Sequence, residues 1–414
     1  MSGIVTARLE NGLTIVAEPI GGVRTAAVTW FVPGGGAEDP PDQLGRAALW
    51  HELLMRGAGE LGSREQADAF DRLGCGRSVS AGTYFMRIAA SMLGDRLRES
   101  LPLLVGMVRQ PRFDDAAIEP AKDLAIQAIE SLKDDPQERA MIAARQRHFP
   151  SPHNRSGLGE IEHIERMTRH QLATQWTAIA RPRRSIFAVA GAIDPSAVVD
   201  QLRRLLAGWE GGTPEPMTGS SGPRGVSHEV DASNQVQIVL LHDAPAEPHP
   251  DSILEKVVVN VLSGGMSGRL FTEVREKRGL CYAVSASYRG DRDFGSGTAY
   301  VGTTPERAQQ SLDVLLAELE RINTPAGAIT TEEFERAIVG MKSRLVFSGE
   351  STSARSAALA SDQHRLGRAR TLDELAQQVD RVTLDQVNAY LRRRSLGSLT
   401  IQTLGPTPLQ PPAR

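Results

Sequence analysis

Residues 262–288 read LSGGMSGRLFTEVREKRGLCYAVSASY. The apolar run ILEKVVVNVLSG enters this stretch with helical periodicity. Gly264, Gly265 and Gly268 allow a tight turn at its end, and YAVSASY alternates as a strand. Around it stand the strands VQIVLLHDA and GSGTAYVGT, the helices AQQSLDVLLAELERI and TTEEFERAIVGMKSRLVFS, and a closing strand SLTIQTL. Upstream, residues 211–225 (GGTPEPMTGSSGPRG) carry no hydrophobic periodicity and read as an exposed linker. Before the linker the same order of elements appears once already. Strands LTIVAEP and TAAVTWFV precede a helix around residue 50, and SVSAGTYFMRIAASML reads as a strand. Helices RLRESLPLLVGMVRQP and EPAKDLAIQAIESL follow, then strand SIFAVAGAI and helix VVDQLRRLLAGW. The chain therefore divides into 1–210, a linker 211–225 and 226–414, a weak internal repeat too long for a solenoid. Each half reads as α+β, one sheet with helices on one face.

Bulk properties narrow the function. Hydrophobic residues make up 40% of the 414 and charged residues 23%, the balance of a globular protein. The formal net charge of −3 implies no bulk attraction to nucleic acid or to an acidic membrane surface. No stretch approaches the ~20 apolar residues of a membrane span. The start, MSGIVTARLENGLTIV, has neither a basic leader nor an apolar core and runs into a strand-like segment. Two cysteines, Cys75 and Cys281, form no C-x-x-C pair and fit a reducing compartment, so a cytoplasmic location is expected.

Metal-ligand patterns are incomplete. Residues 45–58 read GRAALWHELLMRGA, in which His51-Glu52 opens the zinc pattern H-E-x-x-H, but the fifth position is Met55. His148 and His153 lie in the loop-like RHFPSPHN. His163 and His170 read as one helix, two turns and about 10 Å apart, too far to share an ion.

Two of these stretches resemble the insulinase/pitrilysin family of zinc peptidases, the inverzincins of peptidase family M16. Where that family writes G-x-A-H-F-L-E-H-M-x-F-K-G-T, this chain has GRAALWHELLMRGA. The family's two zinc-binding histidines then fall on Ala48 and Glu52, and its general-base glutamate falls on His51. FVPGGGAEDP (31–40) upstream and Arg56-Gly57 downstream hold the register. The third ligand, a glutamate shortly before a D-D-P turn, falls on Ala128 when Asp134-Asp135-Pro136 is the anchor. Glu130 lies about 200° further around that helix. By contrast, residues 262–288 match the family's L-G-G-G-x-S-S-R-L-F-x-E-I-R-E-K-x-G-L-A-Y-x-V almost position by position. The resemblance covers nearly the whole chain.

The resemblance implies two homologous α/β sandwich domains of the LuxS/MPP-like metallohydrolase type, joined by a linker. It also implies that Arg275 and Tyr282 bind substrate. A guanidinium and a phenol can together hold a peptide carbonyl and the oxyanion that forms from it. The bland alternative pairs Arg275 with Glu273 or Asp313 and packs Tyr282 in a strand. The glycine turn is either a plain helix cap or a loop near the peptide's path. Short members of the family associate in pairs, and in some pairs one subunit carries the zinc motif while its partner carries the arginine and tyrosine. The expectation is a non-catalytic subunit that holds no zinc and completes the zinc site of an H-x-x-E-H partner for a peptide substrate. The alternatives are a structural protein on the same fold, comparable to the core proteins of respiratory complexes, and an active peptidase with unusual ligands.

Overall fold

The computed structural model describes residues 3–410. The chain forms two compact units, and neither is a contiguous half. One comprises Met1–Ser131, Ser151–Gly219 and Ser348–Thr371; the other comprises Leu132–Pro150, Ser220–Phe347 and Leu372–Arg414. No helix or strand spans residues 206–224, within which the main chain passes from the first unit to the second.

The first unit is built on a six-stranded sheet. Its strands are β1 (Val5–Arg8), β2 (Thr14–Pro19), β3 (Thr25–Pro33), β4 (Gly76–Ala81), β5 (Phe85–Leu93) and β6 (Ile186–Gly191), in the order β1-β2-β6-β3-β5-β4. SVSAGTYFMRIAASML is a hairpin rather than one strand: β4 and β5 pair antiparallel around a turn at Gly82–Tyr84. The helices are α1 (Arg46–Leu53), α2 (Ser63–Arg72), α3 (Leu97–Arg109) and α4 (Asp115–Glu130). One crossing helix, α5 (Pro136–His148), belongs to the second unit. Then come α6 (Ile161–Arg166), α7 (Arg169–Ile179) and α8 (Pro195–Leu205). His163 and His170 do not share a helix. Thr168 starts α7 with a reciprocal cap to Gln171, and that cap ends the preceding turn.

The second unit repeats this plan. Its strands are β7 (Gly225–Val230), β8 (Val236–Ala244), β9 (Cys281–Gly290), β10 (Gly295–Thr303) and β11 (Thr400–Gly405), in the order β7-β11-β8-β10-β9. In both sheets the first strand of the repeat runs parallel to the last, and every other pairing is antiparallel. The only added strand in the described residues is β1, which pairs antiparallel with β2. Helices α9 (Ser252–Ser263), α10 (Pro305–Arg321) and α11 (Thr331–Glu350) precede the second crossing helix, α12 (Thr352–Leu366). The chain closes with α13 (Leu372–Asp380), α14 (Leu384–Arg393) and β11.

Helices cover both faces of each sheet, not one. In the first unit Ile15, Val28, Trp30 and Phe187 point into the large core under α1–α4, α7 and α8. Val16, Ile186, Ala188 and Ala190 point the other way, onto Leu359 and Ala360 of α12. Strands buried on both faces explain why AVTW and IFAVA read as unbroken apolar runs. Small residues let α12 lie close: Thr29 and Ser356 hydroxyls meet at 3.0 Å, and buried Arg355 pairs with Glu18. In the second unit Ile238, Leu240 and Val301 face α9, α10 and α14. Val239, Leu241 and Leu404 face Ala140, Ala144 and Phe149 at α5. Asp135 caps α5 by accepting from the Glu138 N–H at 2.9 Å, which is the structural use of the D-D-P turn.

Candidate functional site

The zinc-motif positions lie on α1, and this helix is held firmly. Asp39, the acid of FVPGGGAEDP, is buried and accepts from the N–H groups of Gly45 and Ala47 at 3.0 and 3.2 Å. Burial pushes its carboxyl up to about 6, against the pull of Arg46 at 3.4 Å. Trp50 donates to the Leu172 carbonyl at 3.0 Å and packs edge-on against Trp176. Leu49, Trp50 and Leu53 anchor one side of the helix. The other side presents Ala48, His51 and Glu52, which share a face by their three- and four-residue spacing. Helix α4 packs against α1, and on α4 both Ala128 and Glu130 are exposed.

The zinc that the family implies does not fit these residues. Two ligand positions are methyl groups. At the third, Glu52 lies 3.6 Å from His51 Nε2 and 3.6 Å from the Arg56 guanidinium. A fixed cation already sits on the carboxylate that a metal would need. Among the described residues, no three His, Cys, Asp or Glu side chains are grouped to hold a metal ion.

Arg275 and Tyr282 both belong to the second unit, Tyr282 on its edge strand β9 and Arg275 on the segment packed against that strand. Arg275 projects from a π-helical segment, Phe271–Glu276, that packs on β9. Its guanidinium lies 5.0 Å over the Phe271 ring and is exposed to solvent. The acids that might have neutralised it are engaged elsewhere. Glu273 accepts from Lys277 and Arg278, each at 2.7 Å, and Asp313 accepts from Gln309 at 2.9 Å. Arg278 beside Glu273 holds that carboxyl below its ordinary range.

Tyr282 sits at a break in the ladder. Cys281 pairs with Thr303 and Ala283 with Gly302, so Tyr282 is the extra residue of a β-bulge. A bulge on an edge strand re-aims its side chain, and here the ring is 43% exposed. Gly302 makes room for it: a Cβ there would stand 2.9 Å from Tyr282 Cε2. The Tyr282 hydroxyl donates to Gln235 Oε1 at 2.9 Å, and Tyr300 donates to Gln237 Oε1 at 2.6 Å. Partial burial pushes the Tyr282 phenol upward, so it stays a neutral donor. Gln235 and Gly302 were not evident from the sequence, because strand pairing alone brings them to Tyr282.

The conserved-looking stretch has structural members too. Arg269 is buried and makes a two-pronged contact with Glu333, at 2.6 and 2.7 Å, while also donating to the Gly327 and Ala328 carbonyls. Burial acts to raise the Glu333 carboxyl, but its bonds to Arg269 and Thr330 hold it at about 2. Gly264 does cap α9, donating to the Asn260 carbonyl at 2.7 Å. Gly268 is required sterically, since a Cβ would lie 2.9 Å from the Leu262 carbonyl oxygen. Met266 between them is exposed.

Two family models match: the insulinase (peptidase family M16) model over residues 15–153, and the peptidase M16 inactive domain model over 166–341. The chain belongs to the insulinase family, peptidase family M16. Among its M16 relatives, an uncharacterized zinc protease of Mycobacterium leprae is 26% identical, with 98% of this chain and 92% of that protein covered. The uncharacterized zinc protease YmxG of Bacillus subtilis is 25% identical over 96% of this chain and 97% of its own. In structure, the chain is similar to a peptidase M16 inactive domain from Pseudomonas fluorescens, with a TM-score of 0.86, 19% identity and full coverage of both chains. A chain of Complex III2 from Candida albicans superposes with a TM-score of 0.81 at 16% identity, covering 97% and 96%. Among the described residues of this M16 chain, no helix is long and apolar enough to cross a membrane.

Proposed function

We propose that this chain is the non-catalytic subunit of a heterodimeric zinc peptidase. In this reading a cytoplasmic partner with an intact H-x-x-E-H motif holds the zinc, and Arg275 and Tyr282 hold the peptide at that partner's site. The observation that carries the reading is an asymmetry. The α1 face offers Ala48, His51 and an arginine-paired Glu52, whereas Arg275 is exposed with no acidic partner among the described residues. A solvated, unneutralised guanidinium and a re-aimed phenol each suit a carbonyl or carboxylate that arrives from outside. For Tyr282 to donate to a substrate oxygen, its hydroxyl must leave Gln235.

The test is steady-state peptide hydrolysis by the reconstituted pair. Tyr282→Phe is expected to leave folding and association intact while slowing turnover on the order of 10²-fold, the lower end for loss of an oxyanion donor. Arg275→Ala is expected to raise KM as well, by loss of a charged donor. Wild-type turnover in both variants would end this reading. It would favour a scaffold on the same fold, for which the likeness to a Complex III2 chain is the supporting observation.

A further inference from the structure

Strand β7 leaves an edge of the second sheet open. Gly225 N–H and Asp231 N–H donate to the carbonyls of Leu399 and Gly405 along β11. In a parallel pair the residues that bond to the neighbour alternate, so Val226, His228 and Val230 turn both N–H and C=O outward. Among the described residues these outward groups meet no backbone partner. The first unit closes the equivalent edge, that of β2, with the antiparallel strand β1, and among the described residues the second unit has no such strand.

The edge is also unprotected. Sheet edges are usually blunted by lysine, proline or a bulge. GVSHEV contains no lysine or proline, and its pairing with β11 is regular. Val226 is 49% exposed and Val230 75% exposed. The acids in and just after the strand, Glu229 and Asp231, are neutralised by Arg139. His228 Nδ1 meets the Thr403 hydroxyl at 2.9 Å, while its Nε2 is buried and has no hydrogen-bond partner among the described residues.

We propose that β7 pairs antiparallel with β7 of a second copy of this chain, joining two five-stranded sheets into one. The strand is self-complementary about His228. With the two-fold axis there, Val226 stands opposite Val230 of the other copy and Ser227 opposite Glu229, so no two carboxylates face each other. The residues brought into hydrogen-bonded pairs, 226 with 230 and 228 with 228, are those whose N–H and C=O already point outward. The two His228 residues stand opposite each other at the axis, each ring keeping its Nδ1 contact with the Thr403 hydroxyl of its own copy. Tyr282 is on β9, the opposite edge of this sheet, four strand spacings or roughly 19 Å away at ~4.8 Å each. The pairing therefore leaves Arg275 and Tyr282 free, and it does not rest on the function proposed above.

Sedimentation equilibrium of the full chain alone, over a range of micromolar concentrations, is expected to give the mass of two chains. Val230→Lys alters only an exposed side chain, and is expected to shift dissociation to about tenfold higher concentration or more while the melting temperature holds. His228→Cys in a Cys281→Ala background is expected to form an interchain disulfide, since facing Cα atoms in such a pair lie ~5.5 Å apart. Ser227→Cys, facing Glu229, is the control and is expected to form none. A chain that stays monomeric throughout overturns the proposal. So does a dimer indifferent to Val230→Lys with no disulfide at 228, and so does a Val230→Lys variant that instead loses an H-x-x-E-H partner.

Discussion

At the scale of single residues, the alanines at two ligand positions decide most, since a methyl group cannot coordinate a metal. The Arg56 guanidinium, 3.6 Å from Glu52, stands where the family motif has a lysine. The purified chain is expected to carry no stoichiometric zinc by elemental analysis, and His51→Ala is expected to change nothing. Ala48→His, His51→Glu, Glu52→His and Ala128→Glu together are expected to bind zinc weakly, because the groups that orient such ligands are not in place. About one zinc per wild-type chain, lost on His51→Ala, would sink this account. A quadruple variant that folds yet binds none would show that α4 does not present position 128 toward α1. The empty ligand positions and the arginine–tyrosine pair were legible in the sequence because each sits in a fixed spacing. Gln235 and Gly302 were not. Their roles depend on which strand lies alongside, and spacing along the chain does not state that.

At the scale of elements, hydrophobic periodicity identified most strands and about half of the helices, but not their neighbours. SVSAGTYFMRIAASML alternates throughout, and only Gly82 hints at the turn that makes it β4 and β5. Strand β7 escaped notice because HEV offers little apolar pattern beside the linker. Helix α5 has little amphipathic pattern and was not read from the sequence, nor was its packing on β8 and β11. The end of α5 is pinned by His148, whose Nδ1 lies 3.0 Å from the Thr400 hydroxyl. Burial pushes this imidazole down to about 4. A histidine depressed in the fold is neutral there while the unfolded chain takes up a proton. The stability it contributes is therefore full above about pH 6.5 and is lost as pH falls toward about 4. Up to about 3 kcal/mol is at stake across that window. Buried Asp39, raised to about 6, acts in the opposite sense, gaining stability as pH falls below 6. Calorimetric melting between pH 7 and 4.5 is expected to show a shallower acid loss in His148→Gln than in wild type. Parallel curves would remove His148 from the account.

At the scale of the whole molecule, the two homologous units read from the sequence are both present, but each completes its sheet with a helix from the other half. Residues 132–150 belong with the second sheet and 348–371 with the first. Cutting at the Gly219–Ser220 boundary therefore separates both α5 and α12 from their sheets. The fragments 1–219 and 220–414 are expected to bind a hydrophobic dye and aggregate when made singly, and to recover native circular dichroism when made together. A fragment 1–219 that melts cooperatively by itself would contradict the weight placed on α12. The order of elements predicted the repeat correctly. The exchange was hidden because α5 and α12 each follow a helix in sequence, and nothing local marks where the chain crosses.

The exchanged helices also set a timetable on the ribosome. The first sheet leaves the exit tunnel with β6, which ends at Gly191, yet the helix for its second face begins only at Thr352, about 160 residues later. At ~5–20 residues per second, that is a wait on the order of 10–30 seconds. Throughout it, Val16, Ile186, Ala188 and Ala190 face water on a nascent chain. A holding chaperone would find its longest opportunity in that interval, and a slow codon placed between β6 and α12 would lengthen it.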